Sequence, residues 1–317
     1  MPTPTITFDL SLGPVADATT DTLRGLNASD VVPRMWAGDH TVWQEDPTEV
    51  ADRLGWMHVM DEMIASEAEL TAFAEAAVAD GFTEVVLSGM GGSSLFPEVL
   101  QNARGPQAGG IPVSVLDTTD PAAVGRVLDR RDRGGVLVVV SSKSGSTIET
   151  RSHMDTMWER RPRPEEFVVV TDPGSELAGL AAERGYRAIF ENRSDIGGRF
   201  SALSYFGLVP AALLGLPWAQ WLRELGSVIA QMAPDADRTR DPGLALGAAM
   251  AVAAREGRAQ LTVELPDDQA PLGVWLVQLV AESNGKHGTG GVPIIDAARH
   301  DPDGYASDRV FVVHDAA

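Results

Sequence analysis

The chain has 317 residues and sets 45 acidic against 25 basic side chains, for a formal charge of -20. A balance this acidic excludes nucleic acid or an anionic membrane as the main partner, and the absence of cysteine removes disulfides, thiolate chemistry and cysteine-ligated zinc. The length suggests about two domains of ~150 residues. Only two of the cations are lysine, Lys143 and Lys286. The N-terminus has no basic residue ahead of an apolar stretch, so it does not read as a secretory signal. No apolar run approaches the roughly eighteen residues that a spanning helix needs. A cytoplasmic location is expected.

Along the chain, the first 50 residues show no clear strand–helix rhythm. A long alanine- and glutamate-rich helical pattern then runs from about residue 57 to Asp80. Apolar, β-rich runs follow at Glu84–Ser88, Pro112–Asp117, Val136–Ser141, Phe167–Thr171 and Arg187–Phe190, and all but the last lead through a turn into helical spacing. Strands separated by helices predict right-handed βαβ crossovers on a parallel sheet. Val136–Val140 is continuously apolar, as a strand covered on both faces requires. The fold class is therefore α/β, with a doubly wound five-stranded parallel sheet. Phe200–Leu214 reads as one buried helix, and Pro234–Asp241 as a polar connection between domains. Beyond it, Leu244–Ala254 is an alanine-rich helix, Leu261–Leu265 a strand, Pro271–Ser283 a helix and Arg309–Val313 a last strand. The expected division is 1–56, an N-terminal extension; 57–233, a first domain; and 234–317, the start of a second, incomplete one.

Two strand-to-helix loops are built for an anion. Ser88-Gly89-Met90-Gly91-Gly92-Ser93-Ser94 combines glycines, which let backbone amides approach a ligand, with the hydroxyls of Ser93 and Ser94. Ser141-Ser142-Lys143-Ser144-Gly145-Ser146-Thr147 offers five hydroxyls and an ammonium. Neither matches a nucleotide motif: Ser94 stands where the dinucleotide fingerprint needs its third glycine, and Ser142 where the P-loop needs glycine before its lysine. Ordinary loop geometry is the plain alternative. A phosphomonoester held by hydroxyls and amides needs no large positive field, so a small sugar phosphate suits these loops.

Leu272–Ser283 is apolar almost all round and predicts a buried helix. Its interior polar residues, Gln278 and Glu282, stand four apart and share a face. Burial would push a glutamate carboxyl upward, toward the range that proton abstraction beside a carbonyl requires. The alternative is a helix-terminal glutamate reaching solvent near Asn284-Gly285. In Asn192–Arg199, Arg199 opens an apolar segment and is suited to stabilising an oxyanion. The alternative there is a structural ion pair with Asp195.

Together, Gly89-Met90-Gly91-Gly92-Ser93-Ser94-Leu95, Ser142–Thr150, Gly197-Gly198-Arg199-Phe200-Ser201 and Glu282-Ser283-Asn284-Gly285-Lys286 resemble the phosphoglucose isomerase family, whose domains are of the sugar isomerase (SIS) type. Asp46-Pro47, Arg53-Leu54-Gly55-Trp56 and the glycine-rich Lys286–Gly291 look most like the isomerase part of fused transaldolase/phosphoglucose isomerase proteins. The resemblance implies interconversion of glucose 6-phosphate and fructose 6-phosphate through a cis-enediol, with no metal or organic cofactor. Glu282 would be the base and Arg199 the stabiliser of the enediolate. Ser142, Ser144 and Thr147 would hold the phosphate with Gly92 and Ser93, and Gln278 would assist the base. Lys143 falls in the phosphate loop without a catalytic role. The resemblance also implies a homodimer. Family members continue further and supply a ring-opening histidine and a lysine, so this chain is expected to stop within its second domain. His287, His300 and His314 do not take the histidine's place. The runner-up reading is a non-catalytic SIS protein that binds a sugar phosphate.

Overall fold

The computed structural model describes residues 9–237, 241–286, 288–295, 301 and 304–314. Helices α1 (Ala16–Ala28) and α2 (Val31–Trp36) come first, followed by α3 (Met60–Ala65) and α4 (Glu67–Ala79). Strands and helices then alternate: β1 (Glu84–Gly89), α5 (Leu95–Ala103), β2 (Val113–Leu116), α6 (Pro121–Arg133), β3 (Val136–Ser141), α7 (Ile148–Arg160), β4 (Phe167–Thr171), α8 (Glu176–Arg184) and β5 (Ala188–Glu191). After these come α9 (Tyr205–Leu213), α10 (Trp218–Ile229), α11 (Pro242–Arg255), β6 (Gln260–Glu264), α12 (Leu272–Asn284), β7 (Val292–Ile295) and β8 (Arg309–Val313). The chain divides into two compact units, Asp52–Ala219 and a second made of Met1–Ala51 with Gln220–Ala317. Among the described residues no helix is long and apolar enough to cross a membrane.

In the unit 52–219 the five strands lie in the order β2-β1-β3-β4-β5, and every neighbouring pair is parallel. The doubly wound sheet expected from the sequence is therefore present. β3 is buried along its whole length, which is why Val136–Val140 tolerates no polar residue. One side of the core joins Val138, Val140, Met154, Met157, Phe167, Val169 and Leu177. A cation lies inside it. Arg131, fully buried, pairs with Glu166 at 2.8 Å, donates to the carbonyl of Met157 and sits 4.8 Å from the Phe167 ring centroid. Its guanidinium meets the carbonyls of Met157 and Arg161 at the C-terminal end of α7, where a positive charge is favoured.

Three helices differ from expectation. The pattern from residue 57 to Asp80 is broken at Ser66, whose hydroxyl donates to Met63 O at 2.8 Å. Phe200–Leu214 is a 3-10 segment, Gly198–Leu203, and then α9, separated at Ser204. Ser201 and Ser204 return their hydroxyls to the backbone there, the competition that makes serine a helix breaker. Residues 9–50, where the sequence shows no clear rhythm, include α1 and α2.

In the second unit β6 is flanked by β7 and β8, both parallel to it. β7 was not anticipated: four residues containing Pro293 carry too weak a strand signal. α1 packs against α11, so the N-terminal residues belong with the C-terminal part of the chain rather than standing as a separate extension. α11 starts at Pro242, with Asp241 accepting from Leu244 N at 2.9 Å as its N-cap. Residues 238–240 of the expected connection lie outside the described residues. α12 corrects a further expectation. Gly273 is its buried residue, packed on Ile295 of β7, while Val274 is 58% exposed. A helix resting on one edge of a three-stranded sheet cannot bury an apolar surface that runs all the way round.

Candidate functional site

Within the unit 52–219 the loops singled out by the sequence come together at the C-terminal ends of β1, β3 and β5, the edge where open α/β sheets bind ligands. Gly89 pairs in register with Ser141, so the glycine loop and the hydroxyl loop leave adjacent strands at the same level. Ser141 Oγ donates to Ser93 O at 2.8 Å and joins them directly. The glycine loop also meets the segment carrying Arg199. A side chain on Gly92 would stand 2.2 Å from the carbonyl carbon of Gly198 and 2.7 Å from Arg199 N. Only a hydrogen at that position permits the approach. Ser201 Oγ, from the far side of the same turn, lies within hydrogen-bonding distance of Gly198 O at 2.6 Å and Gly92 O at 3.2 Å.

The hydroxyl loop holds Ser142 buried, its Oγ 3.3 Å from Thr147 Oγ1, while Ser144 is exposed and accepts from Ser146 N and Ser146 Oγ. Gly145 has φ of +69° and presses on Leu177 of α8, a conformation and a clearance that favour glycine. Thr147 is the N-cap position of α7, so the free amides of that helix face the loop. Ser93 is buried at the end of the 3-10 turn, Gly91–Ser93, that precedes α5.

Lys143 is half-buried. Its Nζ is paired with Asp172 of the β4–α8 loop and donates to Ser194 O at 2.6 Å. One ammonium thus ties the hydroxyl loop to the loops that follow β4 and β5, a task for several donors at a single point. Asp172 escaped the sequence reading because its partner is 29 residues away. Burial pushes the Asp172 carboxyl up and the bond to Lys143 pulls it back, with burial the stronger, and Oδ1 is buried without a hydrogen bond among the described residues. Asp172→Asn keeps the volume and removes the ion pair. A urea unfolding midpoint lowered by the equivalent of ~1–2 kcal/mol is expected, and an unchanged midpoint would show that the pair holds nothing in place.

Arg199 is half-buried, its Cζ 5.0 Å from the Phe200 ring centroid, and Phe200 stacks on Trp56 at 5.4 Å. Gly55 N donates to Asp195 O at 2.9 Å, so the Arg53–Trp56 segment braces this turn. Asp195 is paired with Arg193 at 2.6 Å, and that hydrogen bond holds its carboxyl below the usual range. Asp195, one carboxylate contemplated as a partner of Arg199, thus has Arg193 as an ion-pair partner.

His153 on α7 is buried beneath the two loops. Its Nδ1 lies 3.0 Å from Ser88 Oγ and its Nε2 3.0 Å from Thr118 O. A carbonyl only accepts, so Nε2 carries the proton and Nδ1 receives the Ser88 hydroxyl. Burial pushes the His153 pKa down, against the Thr118 bond and the charges of Glu149 and Asp117. A lowered histidine favours the neutral folded form. The stability it confers is complete above the unfolded value near 6.5 and is lost as pH falls through 6.5 toward the folded pKa. Unfolding free energy is expected to drop between pH 7.5 and 5.5, and less so in His153→Asn. Equal slopes in the two proteins would assign the drop to other groups.

In the second unit Gln278 and Glu282 share one face of α12 as expected, with Gln278 Nε2 donating to Glu282 Oε1 at 3.3 Å. Glu282 is exposed, which corrects the expectation of a buried carboxylate. Asn284 Oδ1 accepts from Gly291 N at 3.2 Å and folds the glycine-rich loop back over the helix end. His287 and His300 lie outside the described residues. Among the described residues no cluster of three or more histidine and carboxylate side chains is placed to hold a metal ion.

The fold is shared with two solved tagatose-6-phosphate ketose/aldose isomerases, each 14% identical to this chain, at TM-scores of 0.53 and 0.50. The chain is matched over residues 46–298 by the family model for phosphoglucose isomerase. It belongs to the phosphoglucose isomerase family. A glucose-6-phosphate isomerase of Cyanothece is 36% identical over 218 residues, 65% of this chain and 40% of that protein. One from Rubrobacter xylanophilus is 31% identical over 293 residues, 86% of this chain and 64% of that protein. Among solved structures, a hypothetical protein from Thermus thermophilus has a TM-score of 0.76 and 25% identity, over 94% of this chain and 73% of that one. The chain spans less than two thirds of the length of each of these two curated relatives.

Proposed function

We propose that this chain binds the phosphate of an open-chain hexose 6-phosphate and interconverts glucose 6-phosphate and fructose 6-phosphate. The observation that carries the reading is the junction of Gly92 with Gly198 and of Ser141 with Ser93, which joins three family motifs at one sheet edge. The phosphate is held by the Gly92 and Ser93 turn, Ser142, Ser144 and Thr147, with amides and hydroxyls meeting its charge. Lys143 acts on the loops rather than on the ligand.

Glu282 is the base. Its carboxylate takes the proton from C2 of the aldose, the C2–H electron pair becomes the C1–C2 double bond, and O1 gains a proton to give the cis-enediol. The O2 proton then leaves, C2 becomes a carbonyl and C1 recovers a proton from the Glu282 carboxyl. Arg199 stabilises the negative oxygen between these steps, and Gln278 orients the carboxylate. No metal or organic cofactor enters this scheme. A homodimer, a cytoplasmic location and domains at 57–233 and 234–317 belong to the same proposal. Incubation with fructose 6-phosphate in heavy water tests it: deuterium is expected at C1 of the ketose and C2 of the aldose. Binding without exchange would leave a sugar-phosphate-binding protein that is not an isomerase.

A further inference from the structure

His153 is a buried titratable group that the proposed reaction does not use, yet it joins three elements that frame the phosphate loops. Ser88, its Nδ1 partner, is the residue immediately before Gly89, where the glycine loop begins. Thr118, its Nε2 partner, lies between β2 and α6. His153 itself is six residues past Thr147, the N-cap position of α7 and the last residue of the hydroxyl loop. At ~1.5 Å per residue the imidazole is ~9 Å down the helix from the amides offered to an anion. The register of β1 with β3 fixes where the two loops start. It does not fix the tilt of α7 toward β1.

The imidazole bridges α7 to β1 and to the β2–α6 loop by hydrogen bonds. It is 2% exposed, Ser88 is fully buried, and both of its nitrogens are committed. The tautomer is forced, because Thr118 O cannot donate, so the Ser88 hydroxyl must point at Nδ1. The group is a fixed spacer with one donor and one acceptor. Replacing it by an apolar side chain would strand the buried Ser88 hydroxyl, while the exposed Thr118 carbonyl could turn to water.

We propose that His153 is a positioning residue for phosphate recognition, holding the N-terminal turns of α7 against the end of β1 so that the glycine and hydroxyl loops face one ligand at a fixed spacing. This rests on the reading of those loops as the phosphate site. The Ser88 bond is the part that reaches the glycine loop, and the Thr118 bond fixes the ring.

Calorimetric titration of the whole chain with fructose 6-phosphate, well below the unfolding temperature, tests the role. His153→Ala and Ser88→Ala are each expected to weaken binding by about tenfold. His153→Asn, whose amide oxygen can stand in for Nδ1, is expected to stay within about threefold of the parent. A purely structural histidine would lower the unfolding temperature and leave the affinity of the folded protein unchanged. Ser88→Ala removes one hydroxyl from a site that keeps its packing, so it reports even if His153→Ala does not fold. Folded variants that bind within twofold of the parent would overturn the positioning role while the phosphate reading stands. A parent chain that does not bind fructose 6-phosphate would overturn the phosphate reading, and this role with it.

Discussion

Glu282→Gln is expected to slow solvent deuterium exchange into fructose 6-phosphate by about 10²–10⁴-fold, the range a positioned general base supplies. Glutamine preserves the shape of the side chain and its contact with Gln278, and the site is exposed. Stability should therefore move by no more than ~0.5 kcal/mol. Proton NMR of the sugar and a thermal melt of the protein read the two quantities separately. Equal exchange in parent and variant would take Glu282 out of the reaction.

Gly92→Ala should produce a large loss in the unit 52–219. The added methyl would meet backbone, the Gly198 carbonyl at 2.2 Å, and no flexible side chain is there to give way. Overpacking of this kind costs ~1–3 kcal/mol or more, and here the relief must come from parting the glycine loop from the Arg199 segment. Fructose 6-phosphate affinity should fall more than tenfold alongside a lower urea midpoint. Gly125→Ala is the control. Gly125 lies inside α6 with open space around it, and alanine there should raise stability by ~0.5–1 kcal/mol. A Gly92→Ala protein as stable and as tight-binding as the parent would mean that the two loops can separate freely.

The central sheet was readable in the sequence because its strands are continuous valine-rich runs and their turns are rich in glycine, serine and proline. Val136–Ser141 and Phe167–Thr171 fall where the pattern puts them. The glycine and hydroxyl loops were readable for the same reason, since a strand end marks where a loop begins. Helix interruptions were not. At Ser66 and Ser204 a hydroxyl competes for one backbone carbonyl, and serine does the same inside many unbroken helices. Partners distant in sequence were also hidden. Asp172 and His153 look like ordinary surface and core residues until the fold brings Lys143 and Ser88 to them. The burial expected of α12 failed for a different reason. Apolar residues all round a helix require cover on every side, and Val274 and Val277 stay exposed beside a sheet of three strands.

The division of the chain also orders events during synthesis. The unit 52–219 is one uninterrupted segment, whereas the other draws α1 from one end of the sequence and α11 from the other. On a ribosome adding ~5–20 residues per second, α1 emerges roughly 10–45 seconds before the helix it packs against. The five-stranded sheet can close within that interval. Nascent α1 must wait with its packing face open, so early chaperone contacts and proteolytic nicking of unfinished chains should concentrate on residues 16–28.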